Sequence, residues 1–247
     1  MNTDDVVALG ATAQSIVFVV DDDPSVRESL ENLLASCGLR TMTFESAGQY
    51  LAYSRPNVPS CLILDMILPD ITGLDFQKRV AGTDHPPIVF ITGRGDIPTS
   101  VRAMKLGAID FLTKPFSEDD LLNAVQDAIA RDAEALLGRA ALADLQQRYS
   151  LLTPREREVL PLVVGGLLNK QVGALLGISE STVQIHRLKI MQKMEADSLA
   201  ELVRMATQLK VPLPQMRRRG AVATDLVLSY RANPEKFIES RADISPR

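Results

Sequence analysis

Two cysteines and two histidines in 247 residues leave little material for thiol, metal or imidazole chemistry. Cys37 and Cys61 lie far apart in apolar settings with no ligand spacing around them, so both are read as reduced, buried thiols of the cytoplasmic kind. His85 and His186 are equally isolated, and no catalytic or metal-binding constellation recruits either of them. His186 is accordingly read as a packing residue. No apolar stretch approaches the roughly eighteen residues that span a bilayer, and the opening MNTDDVVALGATAQS carries no basic region. The expected location is the cytoplasm, with no membrane partner.

What is present is ordinary globular material: 46% hydrophobic and 23% charged residues, over a length that suits two small domains of about 100 to 150 residues each. The net charge of −4 is unevenly spread. Acidic side chains dominate through Asp127, whereas basic ones outnumber them from Ser150 through Arg219. A change of sign along a chain points toward a polyanion as partner of the second part.

In the first part, IVFVV from Ile16 to Val20 is β-branched and apolar throughout, the pattern of a strand buried on both faces. After DDDPS, Val26, Leu30, Leu33 and Leu34 recur at helical spacing until Gly38. The alternation repeats through a strand at Arg40 to Phe44, a helix from Ser46, the strand CLILD, a helix after Gly73, the strand PIVFIT, a helix from Ile97, the strand in IDFLTKPF, and a last helix from Glu118. Five strands alternating with five helices predict an α/β, flavodoxin-like domain, a doubly wound five-stranded parallel sheet.

Such folds bind ligands at the carboxyl edge of the sheet. The strand ends gathered there carry Asp21, Asp22 and Asp23, then Asp65, then Thr92 with Gly93, then Lys114 before Pro115. Each has a plain structural reading: an Asp after a strand caps a helix or makes a turn, and Asp23 before Pro24 does so here. Together they are chemically coherent. Crowded carboxylates repel unless a hard cation lies between them, an ammonium and a hydroxyl complete a phosphate pocket, and a carboxylate can attack phosphorus to give an acyl phosphate.

The stretches VVDD, ILDMILPDITG, PIVFITG and FLTKPF resemble the receiver domain of two-component response regulators over residues 14–130. The resemblance implies that Asp65 is the phosphoacceptor, that Asp21, Asp22, Asp65 and the backbone carbonyl of Ile67 ligate Mg²⁺, and that Lys114 is the pocket lysine, with a cis bond to Pro115. It also implies Thr92 and Phe111 as the switch pair, and a sensor histidine kinase as phosphoryl donor. Such a domain catalyses only its own phosphorylation and dephosphorylation, so the chain is not expected to be an enzyme acting on a separate substrate.

Residues 121–149, rich in Ala and Leu at helical spacing, predict a long helix that continues from the first domain, with 131–149 as a helical linker interrupted only at Gly138. A dimer seam, a transmitting rod and a solvated spacer all fit that pattern. In LTPREREVL, Thr153, Pro154 and Glu156 form a helix start with a capping box. The helix ends at Gly165 and Gly166, a second runs over NKQVGALL to Gly177, and Ser179 caps a third, ESTVQIHRLKIMQKM, that bears Arg187, Lys189 and Lys193. Two helices joined by a short turn make a helix-turn-helix, and a fourth helix from Ser198 to Leu209 covers the core.

TPREREVL, the run from Gly166 to Met194, and SLAELVRMA resemble the LuxR/NarL-type DNA-binding domain over residues 147–211. The resemblance implies that the third helix enters the major groove of promoter DNA, with Gln184, Ile185 and Leu188 facing bases. Ser181, Thr182, Arg187 and Lys189, with Asn169 and Lys170, would contact phosphates. Lysine is frequent in the family where Gln184 and Leu188 stand here, which lowers the charge of this helix and leaves its base preferences open. The combined expectation is a phosphorylation-controlled transcription regulator of the FixJ/NarL kind, in which phosphorylation releases the DNA-binding domain, promotes a homodimer, or both.

Two other readings fit parts of the chain. An Asp-based phosphatase would use the D-x-D of Asp21 and Asp23, but it needs Asp21 as nucleophile and further acidic motifs that the chain lacks. A regulator acting by protein contact alone would not bind DNA. Residues 212–247, with Arg217 to Arg219, a short helix suggested by Val222, Leu226, Val227 and Tyr230, and another start at Asn233 and Pro234, carry no family function.

Overall fold

The computed structural model describes residues 15–93 and 95–212, and residues 213–247 of the C-terminal extension, with Arg217 to Arg219 and the helices expected near Val222 and Asn233, lie outside them. The chain divides into two compact units between Arg139 and Ala140. The first unit alternates β1 (Ile16–Val20), α1 (Pro24–Ser36), β2 (Arg40–Phe44), α2 (Ala47–Ala52), β3 (Ser60–Asp65), α3 (Gly73–Val80), β4 (Ile88–Thr92), α4 (Ile97–Lys105) and β5 (Asp110–Thr113). It then enters α5 (Glu118–Ser150). The strands form one parallel sheet in the order β2-β1-β3-β4-β5, as expected for the flavodoxin-like plan.

The two-residue period of the strands builds two separate cores. Ile16, Phe18, Val20, Leu62, Leu64 and Phe90 face one side, where Tyr50 of α2, Phe76 of α3 and Ala103 of α4 cover them. Val17, Val19, Cys61, Ile63, Val89 and Ile91 face the other, against Leu30 and Leu34 of α1 and Leu121, Val125 and Ile129 of α5. Burial on both faces explains why the strands read as continuous apolar runs instead of alternating ones.

Beneath the sheet, buried Asp132 of α5 accepts from the Ser60 amide at 2.9 Å and lies 3.7 Å from Arg55 and 3.8 Å from Arg139. Asp84 joins both arginines at 3.2 and 2.8 Å. Burial raises the Asp132 carboxyl above its ordinary range even though the Ser60 amide and the two arginines pull it down.

One thiol is not where the sequence placed it. Cys61 is buried in β3, but Cys37 is exposed. Its apolar neighbours mislead because it occupies the C-cap of α1, where a tight turn, with the Leu39 amide returning to Leu34 O at 3.0 Å, delivers Leu39 to the core and leaves Cys37 outside. Gly138 does not interrupt α5 either, since the helix runs through it for 33 residues.

The second unit holds the end of α5 with α6 (Pro154–Val164), α7 (Asn169–Leu176), α8 (Glu180–Met194) and α9 (Leu199–Gln208). Leu145, Val159, Leu160, Leu162, Val163, Val172, Val183, Ile190, Met194 and Leu202 form its core. The turn between α7 and α8 closes at Gly177, whose φ of 67° is a left-handed conformation that costs a residue with a Cβ about 1 kcal/mol. Ser179 then caps α8 by accepting from the Thr182 amide.

The start of α6 does more than begin a helix. Glu156 closes the capping box on Thr153, and it also receives Lys193 from the last turn of α8 at 2.7 Å while the same ammonium donates to Leu151 O at 3.1 Å. The Glu156 side chain is only 3% exposed. Burial would raise its carboxyl, but Lys193 and Thr153 outweigh that and hold it below the ordinary value of 4.5. A lowered folded pKa means that the stabilisation is full above the ordinary value and is lost as pH falls through the lowered one. Glu156→Gln is therefore expected to destabilise the second unit by about 1–3 kcal/mol at neutral pH. Urea unfolding of the full chain should show this gap narrowing in acid.

Candidate functional site

The four expected strand ends do converge. Asp21 follows β1, Asp65 ends β3, Thr92 ends β4 and Lys114 follows β5, all at the carboxyl edge of one parallel sheet. Their depth follows from the strands: Asp21 and Thr92 are each 1% exposed and Asp65 is 7% exposed. The chain leaves β3 sharply because α3 starts at Gly73, whose amide bonds Met66 O at 2.9 Å. A Cβ there would fall 2.8 Å from the Phe90 ring and 3.2 Å from Asp65 O, so the turn that presents Asp65 accommodates only glycine without displacement.

Lys114 is the centre of the pocket. Its Nζ donates to Asp21 Oδ2 at 2.8 Å and to Asp65 Oδ1 at 3.1 Å, spanning two strands of the sheet. The other oxygen of each carboxylate is held by main chain: the Ile67 amide donates to Asp65 Oδ2 at 2.6 Å, and the Asp23 amide to Asp21 Oδ1 at 2.9 Å. Burial pushes the Asp65 carboxyl up, against the Ile67 amide and Lys114 that pull it down, and Asp21 adds to the rise. Burial also draws the Lys114 ammonium down, but Asp21 and then Asp65 outweigh it and hold it above the usual lysine value. Both Asp65 oxygens are thus engaged, one by main chain and one by the lysine, and the side chain keeps 10% exposure.

The other predicted members occupy the rim. Asp22 is exposed, and Ile67 is 59% exposed with its amide turned to Asp65. Thr92 O accepts from the Lys114 amide at 2.7 Å, and Lys114–Pro115 is a cis peptide. Phe111 of β5 is half-buried, its ring 6.3 Å from Phe90. Asp23 caps α1 through Ser25, which removes the second carboxylate that the phosphatase reading required. Among the described residues, no three His, Cys, Asp or Glu converge as a ligand group, since Lys114 stands between Asp21 and Asp65. One residue escaped the sequence reading: Arg27 of α1 donates to Asp21 O at 2.7 Å and Asp22 O at 3.0 Å, fixing the main chain of the acidic pair. Its signal was its place one turn after the Asp run.

In the second unit, the predicted DNA-contacting residues separate into two groups. Gln184, Ile185, Leu188 and Lys189 of α8 are exposed, as are Ser181 and, on α7, Lys170. Thr182 is half-buried, its hydroxyl 2.7 Å from Ser179 Oγ. Arg187, by contrast, is half-buried and donates to Asn169 Oδ1 at 2.9 Å, so two expected phosphate contacts hold each other and brace α8 against α7. With Arg187 bound to Asn169 and Lys193 to Glu156, Lys189 is the one lysine or arginine of α8 with no polar partner among the described residues. His186, a packing and hydrogen-bonding residue in the family's wording, is half-buried, and its Nδ1 is buried with no hydrogen-bond partner among the described residues.

An acid-and-lysine crevice on a parallel sheet, continued by one helix into a helix-turn-helix, defines a class: DNA-binding regulators with a phosphoacceptor-type input domain. Residues 17–126 match the response regulator receiver domain, and residues 150–206 match the luxR family of bacterial regulatory proteins. Nodulation protein W of Bradyrhizobium diazoefficiens is 50% identical over 202 residues, covering 81% of this chain and 89% of that one. Response regulator protein TmoT of Ectopseudomonas mendocina is 43% identical, over 80% and 90% of the two chains. The transcriptional regulatory protein FixJ of Azorhizobium caulinodans is 44% identical, over 77% and 90%. The solved structure of the response regulator StyR is 48% identical, with a TM-score of 0.69 over 79% of this chain and all of that one. The chain belongs to the response regulators that join a receiver domain to a LuxR-type helix-turn-helix, and it is a transcriptional regulator.

The ion-pair geometry yields a test independent of phosphorylation. Lys114→Ala leaves two buried carboxylates facing each other without a cation. In magnesium-free buffer the variant is expected to lose about 1–3 kcal/mol at neutral pH and to recover as the carboxylates protonate in acid, read by thermal unfolding.

Proposed function

We propose that Asp65 is the phosphoacceptor and that its modification governs DNA binding by α8. The observation that carries this reading is the buried, partly accessible Asp65 carboxylate, held between the Ile67 amide and the Lys114 ammonium. In the proposed reaction, an Asp65 oxygen attacks the phosphorus of a phosphohistidine on a sensor kinase, the P–N bond breaks, and the imidazole leaves as an acyl phosphate forms. Lys114, already positioned by Asp21, pairs with a phosphoryl oxygen, and the Thr92 hydroxyl donates to another. Movement of Thr92 toward the phosphoryl group lets Phe111 turn inward and alters the surface near β5.

Asp21 and Asp65 share the Lys114 ammonium, and with Asp22 and the Ile67 carbonyl they would supply the kind of oxygen donors that a hard cation takes. Mg²⁺ bound by these four would neutralise charge on the transferring group. The division of labour we propose is a receiver at 14–130, a helical linker at 131–149, a DNA-binding domain at 147–211, and an extension of unassigned role at 212–247. Phosphorylation favours a homodimer, which places two α8 helices on half-sites about one helical turn apart. The protein works in the cytoplasm, its chemistry limited to its own phosphorylation and dephosphorylation. No helix among the described residues is long and apolar enough to cross a membrane.

Incubation with acetyl phosphate and Mg²⁺ is expected to label the wild-type chain and not Asp65→Asn. The label should be lost in hydroxylamine, as acyl phosphates are, and it should raise both the apparent mass in gel filtration and the affinity for DNA. Labelled Asp65→Asn would sink the assignment. A labelled wild type with unchanged mass and DNA affinity would refute the proposed control.

A further inference from the structure

The face of α8 that points away from the core is unusual in what it offers to a polyanion. Val183, Ile190 and Met194 define the buried stripe. At about 100° per residue, Ser181, Leu188, Gln192 and Ile185 fall within about 40° of the direction opposite that stripe, and Gln184 lies on one flank of that group. Lys189 lies at its edge, and Arg187 and Lys193 are turned inward to Asn169 and Glu156. The centre of the exposed face therefore presents two large apolar side chains, Ile185 at 54% and Leu188 at 60% exposure, with the amide of Gln192 between them one turn on and that of Gln184 on the Leu188 flank.

Major-groove edges differ in what they offer such a face. Guanine, cytosine and adenine present only hydrogen-bonding groups, which lose their water against an aliphatic side chain and gain nothing in return. Thymine alone adds a methyl group, at C5. A glutamine amide, with one donor and one acceptor on neighbouring atoms, matches adenine N7 and N6 in a bidentate pair. Since thymine and adenine are paired, both preferences can be met by the same or adjacent A·T steps.

We infer that Ile185 and Leu188 read thymine methyl groups and Gln184 an adenine edge, so that the bases under the centre of α8 in each half-site are A·T pairs recognised largely by apolar contact. This inference rests on the proposed DNA-binding reading and names the chemistry of its target. It also predicts a division within the face. Contact at the centre sets sequence preference, whereas Lys189, at the edge, sets affinity for any duplex.

The test separates the two readings. The full chain, with and without acetyl phosphate and Mg²⁺, is used to select duplexes from a random synthetic library, and each thymine of the enriched sequence is then replaced singly by deoxyuridine, which removes the methyl and nothing else. At one or more thymines per half-site, the replacement is expected to weaken binding about fourfold, the worth of one buried methyl-sized group. In Leu188→Ala or Ile185→Ala the same replacement should have no effect, and because both side chains are exposed, neither variant should change the unfolding midpoint. An enriched sequence insensitive to every replacement, or equally sensitive in both variants, overturns the methyl readout and leaves DNA binding standing. Failure to enrich any sequence under either condition overturns the DNA-binding reading, and this inference with it.

Discussion

One ammonium holds the input site together. Lys114 Nζ lies within 3.1 Å of two carboxylates that arrive on different strands, and without it Asp21 and Asp65 would be like charges buried side by side. Its position depends on the sheet: the Lys114 amide donates to Thr92 O, so β4 and β5 must be in register before the side chain can reach across β3 to β1. The same constraint binds the acids. Asp21 is fixed by the Asp23 amide and by Arg27 beneath its carbonyl, and Asp65 by the Ile67 amide and the close turn at Gly73. Each carboxylate thus keeps one oxygen on main chain and shares the other with the lysine. A phosphoryl group on Asp65, as proposed, would disturb that sharing near the end of β5, and four residues separate that strand from α5.

That helix is the one element with side chains in the cores of both units. Leu121, Val125 and Ile129 belong to the sheet's second core, while Leu145 belongs to the core of the helical unit. Between them, Asp132 and Arg139 tie the helix to Arg55, Asp84 and the start of β3. Asp132 is buried and its carboxyl lies above its ordinary range, so the network contributes position more than stability: buried ion pairs regain little beyond their desolvation cost. Its value to a regulator is that it fixes where the helix leaves the first unit.

The sequence was most legible where chemistry is carried by position along one strand. Asp21, Asp65, Thr92 and Lys114 are each the last or next residue after an apolar run, and parallel topology alone brings such ends together. Helix starts at Asp23, Ser46, Thr153, Ser179 and Ser198 were equally open to reading, because capping is a local event within three residues. What the sequence concealed were pairings over long separations. Arg187 with Asn169, Lys193 with Glu156 and Arg55 with Asp132 each join residues many positions apart, and nothing in a basic side chain's neighbours distinguishes a tie to the fold from a contact offered to a ligand. Cys37 failed for a related reason: its neighbours are apolar, but a helix C-cap turns successive residues in and out of the core within a few positions.

These long-range pairings change the meaning of the charge pattern in the second unit. Counted along the chain, α8 carries Arg187, Lys189 and Lys193 as a basic helix, which by itself suggests binding driven by phosphate neutralisation. In three dimensions two of those charges are already matched, by an amide oxygen and by a buried carboxylate, and breaking either pair to reach a phosphate would leave Asn169 or Glu156 without its partner. On the proposed reading, the free energy that α8 brings to a duplex comes from elsewhere on its exposed face, where the available groups include two glutamines, two aliphatic side chains and one lysine. On the proposed reading, a helix so equipped has few free charges for the phosphates common to every sequence and gains most where bases complement its apolar centre, so low charge and base preference are two consequences of one arrangement. Dimerisation would double those few charges together with the base contacts.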